Sequence, residues 1–362
     1  MTSFLTTNPR EIVLASYRTG AGTLPSTCVH LQNQNQVPLQ PGQVAVRNEF
    51  MQLTAVMADL MHETPGLPMP AYPLGEPLWG GAVGTVIEST SADLAVGTVV
   101  QHMKGWQEES TDDASAFYPV PLEYLPGREY VLNQGVTAYH GMVDVAGVRE
   151  GDVVFVSGAA GGVGSLAGQI AKARGAAKVI GSAGSAEKVR YLVDELGFDA
   201  GINYKDSSVE EQLAELAPEG ISVFFDTVGG TQFEAAVQAA APGARFALCG
   251  ALAGQINGGN GGHPRLDVMS AIVKQLVILP FSTHHTPDQL AVWVSHYGQW
   301  LAEVKIVFPT PSSTAVSTPP LTPWTDSFRA GTGATSWSAC THEAPDPPAD
   351  CLLHGAADRG AG

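Results

Sequence analysis

The chain has 362 residues, enough for two domains, and 44% of them are apolar, enough to bury a sizeable core. Its formal net charge of −17, with no basic run, argues against nucleic acid as a partner. No apolar run approaches membrane-spanning length, no signal peptide is read at Met1–Leu5, and Cys28, Cys249, Cys340 and Cys351 form no C-x-x-C pair, so a reduced, cytoplasmic setting and no membrane partner are expected. Residues 11–18 read as a first strand, Pro41-Gly42 as a turn, and 43–50 as an alternating strand. Gly and Pro punctuate 73–81, an apolar strand leaves at 82–88, and a short strand covers 97–100. This first portion is β-rich, without a periodic helix of any length, and its polar, acidic stretch 107–116 reads as a solvated loop.

Near Tyr130 the texture changes. Residues 136–146 have helical spacing, and Gly147 to Asp152 make a turn. Val153–Val156 is an apolar run of strand length, followed at once by Gly158, Gly161 and Gly164. Val163, Leu166, Ala167, Ile170 and Ala171 then recur at helical spacing. Strand, glycine turn and helix open a βαβ unit. The first glycine permits the tight turn, the second lets backbone N–H groups approach a pyrophosphate, and the third lets the helix pack on the strand. Dinucleotide binding is therefore expected, with Gly158, Ala160, Gly161, Gly162, Val163 and Gly164 around the diphosphate at the helix N-terminus.

Strand candidates follow at 178–181, 201–204, 221–226 and 244–250, with helices at 186–196, 209–217 and 231–240 between them. A helix at 266–275 and a strand at 276–279 complete a parallel sheet covered on both faces. Gln289 to Val304 reads as a long amphipathic helix with Leu290, Trp293, Val294, Tyr297 and Leu301 on one side. From Thr310 to Gly362 the chain is rich in Thr, Ser, Pro, Gly and Ala with little periodicity; it is expected to be largely disordered, a foreign or frame-shifted replacement for the natural end.

Several motifs in order resemble one family. They are Val156-Ser157-Gly158-Ala159-Ala160-Gly161-Gly162-Val163-Gly164, Gln169-Ile170-Ala171-Lys172, Gly184-Ser185-Ala186-Glu187-Lys188-Val189, Asn203-Tyr204-Lys205, Phe225-Asp226-Thr227-Val228-Gly229-Gly230 and Cys249-Gly250-Ala251. Together, over roughly residues 73 to 305, they look like the zinc-independent medium-chain dehydrogenase/reductases, and within them the NADPH-dependent 2-alkenal and 15-oxoprostaglandin (leukotriene B4 dehydrogenase-type) reductases. The resemblance implies an α/β protein, a Rossmann nucleotide-binding domain inserted in a β-rich GroES-like catalytic domain. The expected division is 1–129 catalytic, 130–288 NADP-binding, 289–309 returning to the catalytic domain, and 310–362 an atypical tail. It also implies a homodimer and reduction of the C=C bond of an enone or alkenal, by metal-free hydride transfer to Cβ and protonation of the enolate at Cα. An NADPH quinone oxidoreductase and a non-catalytic NADPH-binding paralogue are the alternatives.

No Asp or Glu lies between Lys178 and Ala186, where a carboxylate would accept the ribose 2′-hydroxyl of NAD. A hydroxyl and an ammonium there suit a 2′-phosphate, and by resemblance Ser185, Lys188 and Tyr204 match the phosphate-binding positions. No metal site is expected: Gly75-Glu76 lacks the histidine of a zinc ligand segment, and His284-His285 reads as a solvated loop. By resemblance, Thr137 and Tyr139 sit beside the nicotinamide, Thr137 touching its carboxamide and Tyr139 lining the pocket or donating; a purely packed Tyr139 is the competing reading. Cys249, Gly250 and Ala251 follow the fifth strand, and their backbone is expected to flank the nicotinamide ribose, with the Cys249 thiol packed rather than reactive. Three departures from the family stand out: Gln255 where a tyrosine is frequent, Thr54-Ala55-Val56-Met57-Ala58 in place of an Asp-Pro-Tyr-Met-Arg segment, and no matching final strand in the tail.

Overall fold

The computed structural model describes residues 8–20, 23, 25–67, 69–120, 122–256, 263–309 and 337–339. Strands β1 (Arg10–Leu14) and β2 (Val29–Asn33) form an antiparallel pair. A second, antiparallel sheet is centred on β3 (Gln43–Gln52), which precedes the short helix α1 (Val56–Leu60). Strand β4 (Ala82–Ser89) pairs one side of β3, and β5 (Val99–His102) pairs β4. The alternation in β3 and β4 turns Val44, Val46 and Val86 into a core shared with Val100 and Phe117.

The other side of β3 differs from the sequence reading. Glu109–Asp113, expected to be a solvated loop, is strand β6 and pairs Gln43–Arg47. Its first two side chains, Glu109 and Ser110, are buried and satisfied, while Thr111 and Asp113 are exposed. Glu109, only 6% exposed, faces Arg47 at 3.5 Å, and the Asn48 amide donates to Ser110 Oγ at 2.8 Å. The sheet is extended by β7 (Tyr118–Pro119), on β5.

Helix α2 (Gly135–Tyr139) runs into a π-helical turn, His140–Val145, before the parallel sheet begins. That sheet follows in sequence as β8 (Val153–Val156), α3 (Gly164–Ala173), β9 (Lys178–Ala183), α4 (Ala186–Asp194), β10 (Ala200–Asn203), α5 (Val209–Leu216), β11 (Ile221–Asp226), α6 (Gly230–Ala239), β12 (Ala240–Leu248), α7 (Leu252–Ile256), α8 (Val268–Lys274) and β13 (Val277–Pro280). All its strands are parallel, in the order β10-β9-β8-β11-β12-β13. The chain order therefore reverses between β8 and β11, which opens a crevice at the carboxyl ends of those two strands. Val154, Val156, Val223 and Phe225 fill the core on one face, and Phe155, Ile180, Phe224 and Phe246 fill it on the other. Burial on both faces is why these strands read as continuous apolar runs.

Helix α9 (Pro287–Ala302) starts with a capping box, Thr286 with Gln289, and proline at the first turn. Its buried stripe is Trp293, Tyr297 and Trp300, whereas Leu290 and Val294, expected on the buried side, are 51% and 53% exposed. The stripe packs into the same core cluster as Tyr139, Met142, Ile306 and Phe308. In the tail, Trp337–Ala339 forms β14, antiparallel to Phe50–Gln52 of β3, beside β6 on the same edge, a strand that the composition of the tail does not suggest. The rest of the tail lies outside the described residues. Among the described residues no helix is long and apolar enough to cross a membrane.

One buried histidine gives the fold an acid-sensitive point. His102 is 2% exposed, its Nδ1 accepts from the Lys104 N–H at 3.1 Å, and its Nε2 has no partner. Burial, with Lys104 nearby, lowers its pKa to about 4. The unfolded ring takes a proton near about 6.5, so the native state binds fewer protons in between; the stability is whole above that pH and is lost as pH falls toward about 4. His102→Asn keeps an acceptor for the Lys104 N–H. Denaturant unfolding at about pH 7 and about pH 5 is expected to differ by about 2 kcal/mol less in that variant than in the parent.

Candidate nucleotide-binding crevice

The crevice is built first from its turn. Gly158 leaves β8 with φ +59°, a left-handed conformation that penalises any side chain, and a Cβ there would lie 2.6 Å from Thr227 Oγ1. Gly161 N–H closes the turn on Gly158 O at 3.0 Å. Gly164 begins α3 with backbone on its open side: a Cβ would lie 2.6 Å from Gly158 O and 2.9 Å from Ala159 Cα. Ala160, Gly161, Gly162 and Val163 are half-buried at the mouth. The first N–H groups of a helix have no intrahelical acceptor; here Ser165 N–H is taken up by Gly161 O at 2.9 Å, and the positive end of the dipole lies at that mouth.

Residues that the sequence reading gave no role hold the two sides of the crevice together. Ser157 and Asp226 are both buried. Ser157 Oγ donates to Asp226 Oδ1 at 2.7 Å, and the same oxygen accepts from Val228 N–H at 3.0 Å and Gly229 N–H at 2.8 Å. Thr227 N–H donates to Ser157 Oγ, and Thr227 Oγ1 donates to Ser157 O, each at 2.8 Å. Burial raises the Asp226 pKa against the lowering effect of these donors. On the β9 side, Ser182 Oγ accepts from Gly158 N–H at 3.1 Å and donates to Gln232 Oε1 at 2.5 Å. The motif Phe225-Asp226-Thr227 marked the place in sequence, but only the geometry reveals the clamp.

At the far end of β9 the sequence-predicted residues come together. Ser185 Oγ caps α4 by accepting from Lys188 N–H at 3.2 Å. Tyr204 approaches Gly184 so closely that a Cβ there would lie 2.7 Å from its hydroxyl oxygen. Lys188 is half-buried, and burial, then Lys205, lowers its pKa. Lys205 itself lies 5.9 Å over the Tyr204 ring. Among the described residues neither lysine has a carboxylate in ion-pair range. The sequence reading gave Lys205 no role.

At the other end, Cys249 N–H and Gly250 N–H donate to Asp226 O at 2.8 and 3.1 Å, and Leu252 and Ala253 continue on Thr227 O and Val228 O. This fixes Cys249, Gly250 and Ala251 along the lip of β11. Burial, with Asp226, pushes the Cys249 thiol up to about 12, so it stays protonated. The side chain of Gln255 and residues 257–262 lie outside the described residues.

Thr137 and Tyr139 do not come together. Two positions apart on a helix they face opposite sides. Tyr139 stacks on His296 at 5.1 Å and neighbours Trp293 and Trp300, each 6.1 Å away, as a packed core residue. Thr137 faces the loop after β13, where its Oγ1 is 2.8 Å from His285 Nε2. Of the adjacent pair expected in a solvated loop, His284 is exposed and His285 is half-buried against α2. Burial first, then His140 and His284, against a side-chain hydrogen bond to Gln289, hold the His285 pKa below the usual histidine value. Among the described residues no three His, Cys, Asp or Glu side chains group as metal ligands.

Comparison with known proteins agrees with this geometry. Residues 162–292 match the family described as "Zinc-binding dehydrogenase" and residues 10–120 the "N-terminal domain of oxidoreductase". Prostaglandin reductase 1 of Mus musculus is 42% identical over 185 residues, which cover 49% of this chain and 56% of that protein, little more than half its length. The NADPH-dependent curcumin reductase of Escherichia coli is 32% identical over 305 residues, 82% of this chain and 87% of that one. The solved structure of CurA from Vibrio vulnificus in complex with NADPH superposes with a TM-score of 0.80 at 28% identity, over 92% of this chain and 100% of that one.

Proposed function

The chain belongs to the zinc-independent medium-chain dehydrogenase/reductases of the alkenal and prostaglandin reductase type, and from that membership we propose that it is an NADPH-dependent oxidoreductase reducing the C=C bond of α,β-unsaturated ketones and aldehydes. The observation that carries this reading is the crevice itself: a backbone cradle at the switch point, with two unpaired amines at its adenosine end. Gly158, Ala160, Gly161, Gly162, Val163 and Gly164 hold the diphosphate. Ser185, Lys188 and Tyr204, with Lys205, hold the 2′-phosphate. The backbone of Cys249, Gly250 and Ala251 flanks the nicotinamide ribose. Thr137 faces the nicotinamide, and Tyr139 supports α2 from behind. Bound NADPH supplies a hydride to Cβ; the chain's own residues fix its orientation and offer a hydrogen-bond donor to the carbonyl side.

The proposed division remains a catalytic unit over 1–129, a nucleotide unit over 130–288, a return through 289–309 and the tail 310–362. A homodimer is part of the proposal. Strand β13 ends the parallel sheet, and α8 beside it exposes Val268, Met269, Ile272 and Val273, an apolar patch at an open strand edge. Its setting is proposed to be cytoplasmic, in keeping with the unpaired Cys28 and Cys249.

Oxidation of NADPH and NADH against a panel of enones, alkenals and benzoquinone tests the reading. Turnover with enones and NADPH is expected. Turnover with the quinone alone would reassign the chain, and tight NADPH binding with no turnover would make it a non-catalytic binder. Lys188→Ala is expected to raise the KM for NADPH about tenfold or more and that for NADH less than about twofold, because only NADPH has the 2′-phosphate to pair. Equal effects would remove Lys188 from the phosphate site.

A further inference from the structure

Gln169 is buried on α3, about one and a half turns beyond Gly164, where that helix begins. Its carboxamide reaches across 138 positions of sequence to one residue, Val307. Val307 N–H donates to Gln169 Oε1 at 2.7 Å, and Gln169 Nε2 donates to Val307 O at 3.2 Å and to Ser165 O at 3.1 Å. The side chain thus pairs with Val307 as the backbone of a neighbouring strand would. Only this orientation of the amide works: reversed, it would set Nε2 against the Val307 N–H and Oε1 against two carbonyl oxygens. Val307 lies outside every helix and strand, and among the described residues no backbone group meets its N–H or its O. A segment of this kind needs polar partners for its backbone, and here one side chain supplies them.

The Val307 segment leads on to the other half of the molecule. Ile306 and Phe308 flank it, both buried in the core shared with α9. Phe308 stacks on Tyr130, with ring centroids 4.5 Å apart. Tyr130 belongs to the 3-10 turn Arg128–Val131, which lies in sequence between the antiparallel sheet and α2. From the same turn Arg128 donates to Glu49 of β3 and, at 2.8 Å, to Thr85 Oγ1 of β4, and Thr85 Oγ1 donates to Glu49 Oε1 at 2.6 Å. The contacts are therefore contiguous from the helix at the glycine turn to the antiparallel sheet. Directional hydrogen bonds fix the register of the segment along α3, which the apolar contacts beside it do not.

We propose that Gln169 is a positioning residue: it fixes the Val307–Phe308 segment on α3 and, through Tyr130 and Arg128, sets the antiparallel sheet relative to the helix that holds the coenzyme. The inference rests on the reductase reading for what is aligned, the nicotinamide with an enone lying against the antiparallel half. Hydride transfer tolerates little error there: a displacement of about 1 Å costs about 100-fold in rate.

Gln169→Leu removes the bonds to Val307 at similar size. It is expected to lower kcat about tenfold or more while the Kd for NADPH changes less than about twofold. A merely structural glutamine would lower the unfolding midpoint and leave kcat per folded molecule unchanged. That result, or a parallel loss of NADPH affinity, overturns the proposal. Gln169→Glu is the second variant, should the leucine fail to fold. Its carboxylate keeps an acceptor for Val307 N–H but sets its other oxygen against Val307 O and Ser165 O, whereas a protonated carboxyl donates there. Burial and those carbonyls raise its pKa, so kcat relative to the parent is expected to be low at about pH 8 and to recover toward about pH 6. A ratio that stays constant with pH overturns the proposal. Amide hydrogen exchange gives a readout independent of turnover. Val307 N–H is expected to exchange about tenfold faster in Gln169→Leu, and NADPH to slow it in the parent but not in the variant. NADPH that leaves Val307 exchange in the parent unchanged overturns the coupling. A parent that binds NADPH but turns over no enone refutes the reductase reading alone, because exchange at Val307 still decides whether Gln169 couples that segment to the coenzyme helix.

Discussion

Replacing Gly164 by alanine is expected to weaken NADPH binding by about 100-fold or more, as read by fluorescence titration, and to cost about 1–3 kcal/mol in denaturant unfolding. The added methyl group meets backbone, Gly158 O at 2.6 Å and Ala159 Cα at 2.9 Å, not the movable end of a side chain. The helix must then retreat from the strand that aims it. Its N–H groups move away from the position of the diphosphate together, so the loss exceeds that of one hydrogen bond. An alanine variant that binds NADPH as the parent does would show that the turn is not the diphosphate site.

The second large effect concerns Asp226. All three donors that reach this carboxyl group, Ser157 Oγ, Val228 N–H and Gly229 N–H, converge on one oxygen, Oδ1. Asp226→Leu leaves the Ser157 hydroxyl and Gly229 N–H without an acceptor inside the protein and Val228 N–H with only its longer bond to Ser157 Oγ at 3.2 Å, and a loss of about 3–5 kcal/mol is expected from chemical denaturation. Asp226→Asn keeps a carbonyl oxygen where it is needed. Burial already works against the charge at this site, as the raised pKa reflects. The asparagine variant is therefore expected to lose less than about half as much. If both variants are equally destabilised, the negative charge rather than the acceptor holds β8 to β11.

The two halves of the molecule were not equally legible. In the parallel sheet both faces are buried, so Val153–Val156, Ile221–Asp226 and their neighbours announce themselves as apolar runs between helices. The β-rich half hides strands that carry polar residues. Glu109–Asp113 reads as a loop because its stability comes from pairing with β3 and from Arg47 and Asn48, which are remote in sequence. In α9 the apolar residues are numerous enough to define more than one stripe, and the aromatic one, Trp293, Tyr297 and Trp300, is the one buried. The glycine turn between β8 and α3 could be read because a short motif encodes it locally; Ser185, Lys188 and Tyr204 came from the resemblance, and their phosphate role is a proposal. The Ser157–Asp226 clamp and the Thr137–His285 pair could not be read, since each joins residues far apart along the chain. Tyr139, which the resemblance put beside the nicotinamide with a packed side chain as the competing reading, lies among Trp293, His296 and Trp300.

The small lysine group beside Tyr204 belongs to a molecule whose formal net charge is −17. The proposed coenzyme, NADPH, is itself an anion, so under that proposal the protein as a whole would repel it from afar and attract it only on the final approach. At about 0.1 M salt the far field fades beyond roughly 10 Å, while the proposed contact with Lys188 and Lys205 would survive in part behind the protein surface. Ionic strength therefore acts on arrival and on residence in opposite senses: dilute buffer slows capture and lengthens the stay, and concentrated buffer does the reverse.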